Sequence, residues 1–98
     1  MHMPAYFVAE VEITNPAGFQ MYGPAVRAML ERYGGRLLTW GGPAELMEGG
    51  PEPKRVAIIE FTDKAAVKGW YESAEHQAIL PLRLDNSTGR SFIVEGVS

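Results

Sequence analysis

Apolar and polar residues alternate in several stretches of the chain and recur at helical spacing between them. Residues 5–13 place apolar side chains at every second position, which is typical of a half-buried strand. Residues 55–61 are more continuously apolar and predict a strand in the middle of a sheet. Residues 90–97 predict the last strand, after a polar loop at 85–89.

A first helix is predicted between the first two strands. Asn15 suits the capping position and Pro16 the first helical position, and apolar residues follow at helical spacing up to residue 33. The Gly34-Gly35 pair ends this helix, because glycine enters the left-handed cap conformation freely. Gly23-Pro24 lies inside the pattern and predicts a kink.

The second strand region covers residues 36–48 and contains a glycine pair. Residues 36–40 predict a strand that Gly41-Gly42-Pro43 interrupts and that resumes at 44–48, before a turn at 49–53. Glycines inside a strand indicate a bulge or a close approach of another group to the backbone, and we favour the bulge.

Two further helical segments are predicted before the last strand. Thr62 or Asp63 caps the first of them, whose inward stripe includes Trp70 and Tyr71. Ser73 caps a short helix at about residues 74–80, which Pro81 stops or kinks.

The resulting order, β-α-β-β-α-β, predicts an α+β fold. A ferredoxin-like βαββαβ sandwich, with two main helices on one face of a four-stranded antiparallel sheet, is the economical packing. The other face carries Val8, Val56 and Ile58 or their neighbours, and these also need burial. The same sheet of a second copy would provide it, so we expect a homodimer.

Composition narrows the class of protein. The 98 residues, 46% hydrophobic and 21% charged, predict one globular domain over residues 3–98. The net charge of -3 and the lack of a basic run disfavour nucleic acid and membrane surfaces as partners. No apolar stretch approaches the ~20 residues of a membrane span, and no signal peptide is recognisable, so a cytoplasmic location is expected.

The sequence predicts neither a cofactor nor a metal. Cysteine is absent, and no carboxylates cluster at the spacing of metal ligands. Gly41-Gly42 lacks the strand and helix context of a phosphate loop. Met1 and His2 precede Met3 in the manner of residues left by cloning, which would make His76 the only native histidine.

Several short motifs, in order along nearly the whole chain, resemble the domain of unknown function family 1330. The matching residues are Ala5-Tyr6, Tyr22, Gly34-Gly35-Arg36-Leu37-Leu38, Gly41-Gly42, Glu48-Gly49, the run from Trp70 to Ala78, Leu82-Arg83 and Val94-Glu95-Gly96. The resemblance implies a dimeric α/β barrel, in which two ferredoxin-like sheets pack face to face, and it implies no established activity. His76 stands where the family usually has Tyr, and Trp40 where a basic residue is common.

His76 and Arg83 are the candidate catalytic residues. Histidine can shuttle protons near neutral pH, and a His–Arg pair about two turns apart could bind and polarise a carboxylate or an enolate. The alternative, which we favour for His76, is a partly exposed helix residue packed on an aromatic ring. Arg83, in an apolar run, either grips an anion or forms a salt bridge with Glu10, Glu12 or Glu60.

The candidate ligand-binding residues are aromatic, with one glycine beside them. Trp40, Trp70 and Tyr71 could line a pocket for a flat organic ligand, and Tyr22 could donate a hydrogen bond to it. Gly41 would admit the ligand at the strand interruption. Core packing is the alternative, and we favour it for Trp70, which fits the apolar stripe.

Three functions therefore remain open. The first is a cofactor-independent enzyme acting on a small aromatic or carbonyl-containing molecule in a helix–sheet pocket. The second is a non-catalytic, dimeric binding or stress-associated module that holds a small ligand or a protein partner. The third is a structural dimer without a ligand. A fold alone does not distinguish them.

Overall fold

The computed structural model describes residues 3–97. Met1 and His2, interpreted above as cloning residues, lie outside this range, as does Ser98.

The chain forms an α+β fold with a four-stranded antiparallel sheet. The strands are β1 (Ala5–Ile13), β2 (Gly35–Trp40), β3 (Arg55–Phe61) and β4 (Ser87–Glu95), in the order β2-β3-β1-β4. The helices are α1 (Pro16–Phe19), α2 (Tyr22–Leu30), α3 (Lys64–Tyr71) and α4 (Ala74–Leu84), and a 3₁₀ turn at Glu31–Tyr33 follows α2. The prediction that residues 55–61 form an interior strand is confirmed, since β3 lies between β2 and β1.

The hydrophobic core lies between the helices and one face of the sheet. Phe7 and Ala9 of β1 and Ile59 of β3 point into it, and they meet Val67 and Trp70 of α3. The alternation along β1 follows from the pleat, which turns successive side chains to opposite faces. We call the side of the sheet that bears the helices the covered face, and the other side the open face.

The first predicted helix is two helices. The chain breaks at Gln20 and Met21, upstream of the Gly23-Pro24 pair that was expected to kink it. A proline ring clashes with the carbonyl four residues earlier, which here belongs to Gln20. Pro24 therefore lies in the first turn of α2, where its missing N–H needs no helical partner. Asn15 makes no side-chain cap and instead donates to the Oδ1 atom of Asn86 at 3.0 Å.

The predictions for residues 41–48 are wrong in two respects. The register shift of β2 lies between Leu37 and Thr39, ahead of the glycine pair, and residues 44–48 form no strand. Gly41 donates its N–H to the Val56 carbonyl at 2.9 Å and then turns at φ +73°. This left-handed conformation directs the chain away from β3, and Pro43 has no N–H for further pairing.

Two capped helices follow β3, and the second is longer than predicted. The Asp63 side chain accepts from Ala66 N, and the Ser73 side chain accepts from His76 N, as the capping pattern predicts. Of the two outcomes expected at Pro81, a stop or a kink, the stop is wrong, because α4 continues to Leu84. Pro81 removes one hydrogen bond, to the carbonyl of Gln77, and Gln77 lies on the exposed side where water can replace it.

β4 begins at Ser87, three residues before the predicted start, and takes in most of the expected loop. Gly89 pairs with Val11 at φ +149°, and a Cβ there would lie 2.1 Å from the Glu10 carbonyl oxygen. The absence of a side chain therefore lets this polar segment pair closely with β1.

The open face carries a mixed surface. Val8, Ile58 and Phe92 lie in one row across three strands, and the next rows pair Tyr6 with Glu60 and Glu10 with Arg90. Phe92 retains 40% of its accessible surface. Among residues 3–97, none of the helices combines the length and the apolar character that a membrane span requires.

Candidate functional site

Helix α4 presents two ionisable side chains to the protein interior. His76 is 0% exposed and Arg83 is 6% exposed, about two turns further along the same face. Because α4 runs through Pro81 without interruption, the two side chains do share this face. The partly exposed position that we favoured for His76 is therefore wrong.

Both ring nitrogens of His76 are hydrogen-bonded. Nδ1 lies 2.9 Å from the Tyr71 carbonyl oxygen, and Nε2 lies 2.9 Å from the Tyr22 hydroxyl. A carbonyl can only accept, so Nδ1 carries the proton. In the neutral ring Nε2 is then an acceptor, and the Tyr22 hydroxyl donates to it. The rings of Trp70 and Tyr71 enclose the imidazole, with centroids 4.2 and 5.0 Å away.

Burial sets the protonation states of this pair. It lowers the pKa of His76 below its ordinary value of 6.5, and the nearby positive charge of Arg83 adds to this effect, while the hydrogen bond to the Tyr71 carbonyl opposes it. Burial also raises the pKa of Tyr22 to about 12, against the opposing influence of Arg83. At neutral pH the pair is therefore a phenol donating to an uncharged imidazole.

Arg83 is a buried cation without a carboxylate partner in the described part of the chain. Its guanidinium carbon lies 5.7 Å from the ring centroids of both Phe7 and Tyr22, which is within the range of cation–π attraction. No ion pair of Arg83 occurs among residues 3–97.

The three glutamates expected as salt-bridge partners of Arg83 have other partners. Glu60 pairs with Arg36 at 2.9 Å, and Glu12 pairs with Lys54 at 3.6 Å. Glu10 accepts from the Lys54 backbone N–H at 3.2 Å. All three glutamates lie on even-numbered positions of their strands, which turn to the open face, away from α4.

A small cavity lies between α2, α4 and the covered face. We call it the interior cavity; its volume is about 20 Å³, enough for one water molecule. It is lined by Phe7, Ala9, Val11, Phe19, Tyr22, Trp40, Arg55, Ala57, Ile59 and Arg83. Two guanidinium groups thus border an otherwise apolar space.

A larger pocket adjoins the interior cavity on the side of α4. We call it the α4–β4 pocket; its volume is about 410 Å³. Arg83 and Val11 line both spaces, so they form the partition between them. Tyr71 and the start of β4, from Ser87 to Ser91, provide most of the remaining wall. This volume falls within the range of small-molecule sites.

The structure brings some of the sequence-predicted residues together and separates others. Tyr22, Trp40 and Arg83 line the interior cavity, and Tyr71 lines the α4–β4 pocket. His76 lines neither space and reaches the interior cavity through Tyr22.

Two predicted ligand-binding residues have other surroundings. Trp70 is 0% exposed and packs on Phe7 and Phe61, with centroids 5.2 and 5.4 Å away, as the core alternative described. Its indole Nε1 has no hydrogen-bond partner among the described residues. Gly41 lies against the Arg55 side chain, because a Cβ there would come within 2.5 Å of the guanidinium carbon.

Arg55 is the site residue that sequence reasoning missed. It is the first residue of β3, and its guanidinium carbon lies 5.9 Å from the ring centroids of Phe19 and Trp40. The available signal was the glycine pair, which was interpreted chiefly as a bulge although a close approach was the stated alternative. The close approach is what occurs at Gly41.

Metal ligation finds no support in the described residues. Within residues 3–97 no three His, Cys, Asp or Glu side chains lie close enough together to hold an ion.

Comparison with known proteins identifies a family but no activity. The family model described as "Domain of unknown function (DUF1330)" matches residues 4–97. A protein of unknown function from Rhodopseudomonas palustris, RPA0582, has a similar crystal structure with a TM-score of 0.76 and 20% identity, covering 97% of this chain and 83% of that one. The crystal structure of methylated RPA0582 is similar with a TM-score of 0.75 and 20% sequence identity, covering 100% of this chain and 84% of that one. No curated protein matches the chain.

Proposed function

We propose a function for this chain, which belongs to the DUF1330 family, whose description names no activity. It binds a small carboxylate or enolisable carbonyl compound beside Arg83 and moves a proton through Tyr22. The observation that carries the proposal is a buried guanidinium without a carboxylate partner, next to a tyrosine that is hydrogen-bonded to a neutral histidine. The proposed chemistry requires no cofactor.

Anion binding at Arg83 rests on its surroundings. A buried charge needs a counter-charge or several hydrogen bonds, and aromatic rings alone satisfy it poorly. A carboxylate of a substrate that enters the interior cavity, which Arg83 and Tyr22 both line, would complete the guanidinium fork. The same contact would stabilise an enolate oxygen as its negative charge develops.

The proton route rests on the direction of the two hydrogen bonds of His76. When a C–H proton next to the substrate carbonyl passes to the Tyr22 oxygen, the phenolic proton moves to Nε2 of His76. This leaves imidazolium and an enolate beside Arg83. The reverse transfer to the enolate oxygen yields the enol, so the overall step is a tautomerisation. Tyr22 would be the catalytic residue, and His76 would act through it.

A dimer completes this proposal. The strand order and the one-sided helices support the ferredoxin-like arrangement and, with it, the dimeric α/β barrel expected from the sequence. In that arrangement Val8, Ile58 and Phe92 of two open faces pack against each other. A row of half-exposed apolar side chains across three strands is the supporting observation.

The test uses phenylpyruvate, which carries both a carboxylate and an enolisable carbonyl. Exchange of its methylene protons in deuterated solvent is followed by NMR, with the uncatalysed rate subtracted. We expect the wild type to accelerate exchange, with roughly a hundredfold loss in Tyr22→Phe, in line with the usual contribution of a general acid or base. Arg83→Gln should raise KM.

Controls separate the roles of the residues. Tyr6→Phe changes a hydroxyl on the open face, which is bonded to Glu60, and should leave the exchange rate unchanged. His76→Gln should lower kcat and abolish the pH dependence that imidazole imposes. Wild-type exchange at the uncatalysed rate, or full exchange in Tyr22→Phe, would refute the proton relay.

A non-catalytic binding module is the second candidate, and one observation favours it. His76 is sealed from the cavities by its two hydrogen bonds, so a ligand could occupy the α4–β4 pocket without any proton transfer. Thermal stabilisation of the wild type by phenylpyruvate, lost in Arg83→Gln and accompanied by no exchange, would establish this function instead. Native mass spectrometry of the purified protein would report a co-purified ligand and the subunit count together.

A further inference from the structure

Three spaces lie in a row through the protein. On the side of α1 and α2 lies a surface depression of about 330 Å³, which shares Phe19, Trp40 and Arg55 with the interior cavity. On the other side the interior cavity shares Arg83 with the α4–β4 pocket. One guanidinium therefore stands at each end of the narrow middle section.

Arg55 resembles Arg83 in its surroundings. Aromatic rings flank its guanidinium, and residues 3–97 provide no carboxylate within salt-bridge distance of it. The bare backbone of Gly41 gives this side chain its place, since a Cβ would lie 2.5 Å from the guanidinium carbon and residue 41 has a φ of +73°. Position 41 therefore excludes most side chains, and its glycine leaves room for the Arg55 guanidinium.

We infer that the ligand is a small flat dianion, with one acidic group held by Arg83 and the other by Arg55. This inference rests on the proposed anion site at Arg83 and adds the second charge. The walls between the two cations are aromatic or aliphatic, with Tyr22 and Trp40 stacked at 5.9 Å and an interplanar angle of 27°. A planar body suits such walls, and an acidic group at each end suits the two guanidinium forks.

The interior cavity must widen for such a ligand, and Trp40 is the side chain that can yield. It is the last residue of β2, it is partly exposed, and the irregular segment 41–54 follows it. Its indole packs on Gly23, where a Cβ would lie 3.1 Å from Nε1. Tyr22, by contrast, is anchored to His76 and almost fully buried. The passage therefore opens on the side of Arg55.

The experiment compares ligands that differ by one charge at similar size. Terephthalate is paired with para-methylbenzoate, and naphthalene dicarboxylate with naphthoate, so that two spans are sampled. Isothermal titration calorimetry measures the affinity of each for the full chain. We expect at least one dianion to bind about tenfold or more tightly than its monoanionic partner, as a second charge-assisted contact provides.

Two variants locate the second contact. Arg55→Gln should reduce the preference for the dianion to less than about threefold, whereas Arg83→Gln should weaken the binding of both ligands. Arg27→Gln, which removes a cation that lines the same depression but not the interior cavity, should change neither affinity. Thermal melting checks that each variant is folded.

The outcomes distinguish this inference from the proposed function. Equal affinities within both pairs, no binding of either dianion, or a preference that survives in Arg55→Gln would overturn the two-cation site and leave the Arg83 site and the proton relay to the exchange test. Monoanion binding that is indifferent to Arg83→Gln would overturn the anion site itself.

Discussion

The two faces of the sheet differ in how far their side chains are buried. On the covered face, Phe7, Ile59 and Phe61 are at most 5% exposed, and they belong to one core cluster with side chains of helices α2 and α3. On the open face, Phe92 and Val94 retain 40% and 45% of their accessible surface. Both sets of residues come from the same strands and alternate along them.

The two faces also differ in the surroundings of their polar groups. The covered face holds buried polar groups that depend on partners within the protein, as His76 depends on Tyr22 and on the Tyr71 carbonyl. The open face mixes apolar side chains with the Arg36–Glu60 and Lys54–Glu12 pairs, which stay in contact with solvent and contribute little to stability. The covered face therefore holds both the hydrophobic core and the candidate site, and the open face is where the proposed dimer would form.

Replacing an aromatic ring on each face should give the largest contrast. Trp70→Ala removes a fully buried ring that contacts Phe7, Phe61 and His76, and it should cost about 3–5 kcal/mol of the free energy of unfolding. Phe92→Ala should cost about 1 kcal/mol. Urea denaturation measures both values, at a low protein concentration so that association contributes little.

Equal losses in the two variants would contradict the comparison. Trp70→Ala would remove a large fraction of the roughly 5–15 kcal/mol that holds such a domain together. Trp70→Phe keeps part of the ring and should lose less, which provides a measurable variant if the alanine protein does not fold.

A charge on the open face should break the proposed dimer. Ile58→Lys places an ammonium in the apolar row that also contains Val8 and Phe92. Burying an unpaired charge is costly, so we expect monomers where the wild type forms dimers, with an unchanged circular dichroism spectrum. Sedimentation equilibrium at micromolar concentration measures the mass.

The matched control for this variant is Thr62→Lys, an exposed position outside the strands. It should leave the subunit mass unaltered. Monomeric wild-type protein, or dimers that persist in Ile58→Lys, would show that the open face is not the interface.

The sequence predicted β1 and β3 well because their signal is local. The alternation in β1 and the apolar run of β3 depend on the pleat and on burial, and both strands have the predicted bounds. The helix break at Gln20 and the continuation of α4 through Pro81 were not predictable in the same way. Each depends on whether one carbonyl clashes or finds water, which is decided by packing between elements.

The candidate site was only partly accessible to sequence reasoning, for a related reason. His76 and Arg83 were identified by residue type, but the hydrogen bond from Tyr22 joins positions far apart in the chain. Arg55 gave no signal of its own, because an arginine at the start of a strand is ordinary. Its role depends on Gly41 and Trp40, which the strand pairing brings beside it.

Removing one hydroxyl from each face should give a smaller contrast. Tyr22→Phe leaves Nε2 of His76 as a buried acceptor without its donor, and it should cost about 1–3 kcal/mol. Tyr6→Phe removes a hydroxyl that donates to Glu60 at 3.2 Å on the open face, where water can replace it, so stability should hardly change. Thermal and urea unfolding would measure both, and a Tyr22→Phe protein as stable as the wild type would argue against the hydrogen-bonded chain.

The smallest expected effect is a pH dependence that belongs to the covered face alone. Burial lowers the pKa of His76 in the folded protein below the ordinary 6.5, so below that pH the unfolded chain binds more protons than the folded one. The stabilisation is present above pH 6.5 and is lost as the pH falls through the folded value.

Urea unfolding of the wild type and of His76→Gln, from about pH 7.5 down to about pH 5.5, isolates this contribution. The carboxylates and His2 are common to both proteins, so the difference between the two curves reports His76. We expect the wild type to lose stability relative to the variant as the pH falls through this range. Parallel curves would mean that the imidazole accepts a proton as readily in the folded protein as in water, which a ring enclosed by Trp70, Tyr71 and Tyr22 should not do.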